Sequence, residues 1–152
     1  MNGYYSLYCL PIIGKVWVAR TSNGICRIEI SGKKERLLKF LPKNFTWREG
    51  PKKIAAKLPK AVIDLSSGTA FQQKVWRQIM KIPCGETKSY AWLAKMAGRP
   101  KAVRAAANAC GANPIPILIP CHRVIRSDGS IGGFSAPLSF KKRLLKHEGR
   151  NF

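Results

Sequence analysis

The stretch NPIPILIPCHRV, residues 113–124, holds a thiol next to an imidazole, Cys121 and His122. A cysteine attacks as its thiolate, and a nearby His or helix N-terminus lowers its pKa from about 8.5 into the physiological range. Neighbours in a strand point to opposite faces, so direct contact between the two requires a bent turn or a bridging water. Alone, the dipeptide fits a structural pair as readily as a nucleophilic one. A third group comes from the C-terminal helix that Pro137 opens and Gly149 closes, where Phe140, Leu144 and Glu148 recur at i, i+4 and i+8. Glu148 thus points where apolar side chains point, and a buried carboxylate needs a partner. Contact with His122 makes a Cys-His-Glu relay. The alternatives are exposure at a frayed helix end and a pair with an arginine.

These side chains need elements to hold them. Ile115 to Ile119 is an apolar run of strand length between prolines, ended by Pro120, which sets Cys121 and His122 at a strand end against a core wall. Upstream, a helix from about Ala70 to Lys81 carries Phe71, Val75, Ile79 and Ile82 on one stripe and stops at Pro83-Cys84-Gly85. A second helix begins at the N-cap Ser89 and lines up Tyr90, Leu93, Ala94 and Ala97. Gly98-Arg99-Pro100 makes a short turn, and Pro100 suits the first position of a third helix running to Gly111. The pair reads as a helix-turn-helix. The third helix has an inner stripe of Val103, Ala106, Ala107 and Cys110, with Lys101, Arg104, Ala105 and Asn108 opposite. Small residues around one long cation suit close approach to a groove; the alternative is an Ala-rich packing helix with a solvated Arg.

The N-terminal half reads as a β-meander: Tyr4 to Leu10, Lys15 to Arg20 and Ile25 to Ile30, with Asn23-Gly24 supplying a φ > 0 turn. Cys26 alternates into the core, and Cys9 and Cys26 are placed on neighbouring strands, where a disulfide is a minor possibility. Lys33 to Lys60 is dense in Lys and Arg and allows short helices around Leu37 to Leu41 and from Ile54 to Leu58. A last strand, Ala61 to Leu65, precedes Ser66-Ser67-Gly68-Thr69, which divides the chain into domains 1–66 and 67–152. The fold class is mixed α/β (α+β), a small strand-rich domain followed by a helical one.

Twenty-eight Lys and Arg against seven Asp and Glu leave a formal charge of +21, the footprint of a polyanionic partner. No apolar run approaches a membrane span of about 20 residues. Five cysteines, an odd number with no CxxC, argue against a disulfide framework or a standard zinc site. A cytoplasmic protein with a free thiol is expected.

Phe71 to Glu148 resembles the C-terminal domain of the O-6-alkylguanine-DNA alkyltransferases, also called methylated-DNA-protein-cysteine methyltransferases. The likeness runs through FQQKVW (71–76), IPCGETKSY (82–90), PKAVRAA (100–106), NPIPILIPCHRVI (113–125), GSIGGFS (129–135) and LLKHEG (144–149), PCHRV being the family's active-site signature. The resemblance implies a ribonuclease H-like N-terminal domain and repair of duplex DNA carrying O-6-alkylguanine, with O-4-alkylthymine a further substrate. Cys121 takes the alkyl group irreversibly, with His122 and Glu148 promoting its thiolate. Tyr90 serves as phosphate-side wedge and proton donor to the guanine, with Lys141 a helper. Arg104 fills the gap left by the flipped base, and Lys101, Ala102, Ala105 and Arg123 join it as DNA-binding residues. Asn113 holds the turn before the active-site segment. Val124 offers its carbonyl to the base, and Phe134 and Ser135 form the pocket rim. The same resemblance implies a monomer with no cofactor, and no metal, since neither His lies in the N-terminal half. Two departures stand out: Phe134 where Tyr is frequent, and Ala136-Pro137 in place of a Gly pair.

Three rival readings share some of these features. A lesion-binding relative without activity lacks the acceptor Cys, which Cys121 contradicts. A helix-turn-helix regulator keeps Cys121 as core and reads the major groove. A Cys-His hydrolase needs an oxyanion hole that nothing in the sequence supplies.

Overall fold

The computed structural model describes residues 1–55, 58 and 60–152, in two compact units, Met1–Ser67 and Gly68–Phe152. The mixed α+β class expected from the sequence is borne out.

In the first unit, β1 (Asn2–Leu10), β2 (Gly14–Thr21) and β3 (Gly24–Glu29) form an antiparallel meander. Helix α1 (Lys34–Lys39) follows, and β4 (Thr46–Glu49) then adds to the free edge of β1 in parallel. Tyr5, Trp17, Ala19 and Cys26 from the sheet bury one face against Leu37 and Leu41. The hairpin turn differs from expectation: only Gly24 takes a positive φ, while Asn23 donates its N–H to Thr21 Oγ1. Ala61 to Leu65 is reduced to one bridge, Ile63 beside Ile25, in which the Ile25 N–H donates to Val62 O and the Asp64 N–H to Ile25 O, each at 2.8 Å. The helix expected from Ile54 to Leu58 lies partly outside the described residues. Lys53–Ile54 is a strand, β5, paired with Tyr8 and Cys9. Since β2 lies between β1 and β3, Cys9 and Cys26 are not on neighbouring strands, and both are free thiols.

The second unit starts at a capping box. Thr69 accepts from the Gln72 N–H, and the Gln72 side chain accepts from Thr69, which opens α2 (Ala70–Ile79). Val75, Trp76 and Ile79 are buried, and the Trp76 indole donates to the Ala109 carbonyl at 2.8 Å. After β6 (Lys88–Ser89), the Ser89 hydroxyl caps α3 (Tyr90–Met96). A Schellman motif ends α3: Gly98 at φ +83 donates to Lys95 O, and Arg99 to Ala94 O. Helix α4 runs Val103–Gly111, so Pro100 sits in the turn and not at the first helical position. Its buried stripe is Ala106, Ala109 and Cys110, and Val103 is 37% exposed, so the expected inner stripe is rotated. Helices α2, α3 and α4 pack together, with α3 and α4 forming the helix-turn-helix. A 3-10 turn (Cys121–Arg123), β7 (Val124–Ile125) and α5 (Leu138–His147) complete the unit.

Ile115 to Ile119 is not a strand. Pro114, Pro116 and Pro120 bring no N–H to a ladder, and the segment closes on itself through Ile119 N–H to Ile115 O, with Ile117 at φ 77. Among the described residues no helix is long and apolar enough to cross a membrane.

Candidate active site

Cys121 sits on the first residue of the 3-10 turn that follows the proline loop, its N–H donating to Ile119 O at 2.7 Å. Asn113 ties this loop from inside: its Nδ2 donates to Ile119 O and its Oδ1 accepts from Ile115 N–H, each at 2.9 Å. The Asn113 amide also favours the Cys121 thiolate. The tight turn removes the strand geometry that would have pointed Cys121 and His122 to opposite faces. Both are buried.

The end of α5 delivers the carboxylate. Gly149 at φ +84 donates to Lys146 O and Arg150 to Leu145 O, another Schellman motif, with Glu148 at the C-cap. Its side chain turns inward to 8% exposure, and Oε1 lies 2.9 Å from His122 Nε2. The alternative pairing with an arginine is present as well. Arg123 donates Nε and Nη2 to the same carboxylate at 2.7–3.2 Å, and its Nη1 donates to Ile82 O at 2.7 Å. Each nitrogen of that guanidinium has a partner, and Arg123 clamps Glu148. Burial alone would raise the Glu148 carboxyl, but the hydrogen bonds and charges of His122 and Arg123 outweigh it and hold the pKa at about 2. Glu148 is therefore ionised. Its contact with Nε2 fixes the imidazole, whose Nδ1 is buried without a protein partner.

Behind the thiol, Lys141 is fully buried, its Nζ donating to Val124 O at 2.7 Å and Gly133 O at 3.0 Å. Burial pushes its pKa down to about 8, opposed by Cys110 and Cys121. Its ammonium is committed to these carbonyls, so it reaches Tyr90 only through the rim backbone, and the Val124 carbonyl already serves one donor. Burial raises the Cys121 thiol, while Asn113, Lys141 and the backbone N–H groups of Cys121 and His122 pull it back.

Tyr90 opens α3 where β6 pairs in parallel with β7, Ser89 beside Ile125. Its ring faces Gly132, whose φ of +72 and missing Cβ leave the space; a Cβ there would lie 3.1 Å from the ring. Burial raises the Tyr90 hydroxyl to about 12, with Cys110 and Cys121 adding to it. A cavity of about 310 Å³ brings Tyr90, Cys121, Phe134 and Ser135 together with Cys110 and Arg126. Of the DNA-binding set, Lys101, Arg104 and Ala105 are exposed along the start of α4 and Ala102 is its N-cap, none of them in the cavity. Sequence reasoning missed Cys110 and Arg126 as pocket residues. The inward stripe of α4 carried a signal for Cys110; Arg126 had none, since it depends on the β6–β7 pairing.

The second unit thus sets a buried cysteine, with an imidazole and an ionised carboxylate, behind a helix-turn-helix. Residues 70–150 match the family model described as the DNA-binding domain of 6-O-methylguanine DNA methyltransferase. The chain is 39% identical over 154 residues to the bifunctional transcriptional activator/DNA repair enzyme Ada of Escherichia coli, covering 91% of this chain and 44% of that protein. It is 36% identical to the methylated-DNA–protein-cysteine methyltransferase of Methanosarcina barkeri, over 97% of this chain and 98% of the relative. The crystal structure of Mycobacterium tuberculosis OGT in complex with DNA superposes with a TM-score of 0.76 at 29% identity, covering 95% of this chain and 92% of that one. The chain thus spans about half the length of Ada and nearly all of the Methanosarcina relative. This chain belongs to the O-6-methylguanine-DNA methyltransferase family.

Proposed function

We propose that this protein repairs DNA by direct reversal, moving the alkyl group of O-6-alkylguanine, and of O-4-alkylthymine, onto Cys121 in one irreversible turnover. The observation that supports it best is the chain Cys121, His122, Glu148: ionised Glu148 accepts from His122 Nε2–H, which leaves the Nδ1 lone pair to take the thiol proton through a bridging water. The thiolate attacks the alkyl carbon in line. The S–C bond forms as the C–O6 bond breaks, and the purine leaves with the electron pair. Tyr90, protonated because its pKa is raised, supplies a proton to the leaving guanine. The thioether is stable, so the protein is consumed.

The target atom is unreachable inside a duplex, so the nucleotide is flipped, with α4 in the minor groove and Arg104 filling the gap. The exposed small residues around Arg104 allow that approach. Lys101, Ala102 and Ala105 line the same contact, Asn113 positions the Cys121 turn, and Phe134 and Ser135 close the rim. The chain acts as a monomer without cofactor or metal. Five free cysteines fit a reducing cytoplasm.

Intact-mass analysis after incubation with a duplex containing O-6-methylguanine tests this. One methyl on the Cys121 peptide, at one per molecule, is the expected result; lesion loss without protein methylation, or methylation elsewhere, overturns it.

A further inference from the structure

The transfer reaction leaves one pocket group unused. Arg126 lines the same cavity as Cys121, and among the described lining residues it is the one charged side chain; Asp128, whose carboxyl feels the Arg126 charge, lies outside that lining. Its backbone is held at both ends: β7 precedes it, its N–H donates to Ser130 O at 3.0 Å, and its carbonyl accepts from Gly129 at 3.1 Å. Asp128, on the same turn, has its Oδ1 taken by the Ser130 N–H and hydroxyl at 2.9 and 2.7 Å. The Arg126 charge acts across the pocket, favouring the phenolate of Tyr90 against the burial that raises it. Lys141 adds a second cation behind the thiol.

In-line attack requires the alkyl carbon beside Cys121 Sγ, so the far end of any longer O6 substituent lies in the chamber with Arg126. A methyl gains nothing from a cation there. A carboxylate gains a charge-assisted pair there, which the guanidinium fork matches bidentately. We infer that Arg126 is a specificity-determining residue that favours guanines whose O6 substituent ends in an anion, carboxymethyl being the smallest. The inference rests on the alkyl-transfer reading.

Single-turnover rates on O-6-methylguanine and O-6-carboxymethylguanine, each in a duplex and as the free base, test it for the wild-type protein, Arg126→Gln and Arg126→Lys. Arg126→Gln is expected to slow the carboxymethyl reaction about tenfold more than the methyl reaction, in duplex and free base alike. Arg126→Lys retains part of the preference. Arg126 is exposed, and an unchanged thermal midpoint establishes that the variants are folded. Equal effects on both adducts overturn the inference, as does a loss confined to duplexes, which assigns Arg126 to a backbone phosphate. Wild-type protein that methylates Cys121 while the variants behave alike refutes Arg126 alone; wild-type protein that never methylates Cys121 refutes the transfer reading itself.

Discussion

Each unit buries a thiol, Cys26 in the first and Cys121 in the second, and the two are set apart by their neighbours. Burial raises both. Cys26 goes to about 11, and Asp64 pushes in the same direction; its Sγ is 3.6 Å from the Ala19 carbonyl, to which it donates. Around Cys121 the neighbours oppose burial: an amide from Asn113, the Lys141 ammonium and two backbone N–H groups. A buried cysteine is inert by default, and reactivity has to be built around it. Charge teaches the same lesson. The first unit has 13 Lys and Arg against 4 acids and the second 15 against 3, so charge density marks neither as the site. What differs is how the acids are used. Glu49 pairs with Lys34 at the surface, whereas Glu148 is held by His122 and Arg123 at 8% exposure.

The contrast between the thiols is the easiest to break. Cys121→Ser should reduce transfer below detection by mass, while Cys26→Ser transfers at the wild-type rate; equal losses would show that burial alone sets reactivity.

Next comes the contrast between carboxylates. Glu148→Gln should slow transfer about 100-fold or more and cost about 1.5–3 kcal/mol of stability, because the part-buried Arg123 loses its counter-charge. Glu49→Gln should move neither the rate nor the thermal midpoint. The pH dependence has a definite sign. A carboxyl lowered from 4.5 to about 2 on folding contributes stability that is fully present above 4.5 and lost as pH falls toward 2. Acid titration of stability should show this loss in the wild-type protein and not in Glu148→Gln, and parallel curves would count against it.

The smallest effect compares exposed arginines. Arg104→Ala should slow repair in duplex about tenfold with little change on the free base, while Arg48→Ala, exposed in the first unit, leaves both unchanged. Equal losses for Arg104→Ala on duplex and free base would remove its stacking role.

Local signals were legible where one residue sets the geometry. Thr69 and Ser89 cap their helices, Gly98 and Gly149 end theirs, and Glu148 turns inward at the C-cap that Gly149 creates. Reading failed where several residues compete. The apolar run from Ile115 to Ile119 matched a buried strand by hydrophobicity, but three prolines without donors made it a closed turn. The α4 stripe was rotated because Trp76 bonds to Ala109 and draws that side of the helix inward.

The sequence by itself determined the class of chemistry: a thiol beside an imidazole, a carboxylate on an inward helical stripe, and a small-residue helix carrying one arginine. Those follow from residue type and spacing along a single element. Only tertiary structure decided that Arg123 clamps Glu148, that Lys141 bonds two rim carbonyls, and that Arg126 lines one cavity with the thiol. Each of these joins segments far apart in sequence or held by the β6–β7 pairing, where burial and the need to satisfy every buried polar group select partners that spacing does not encode.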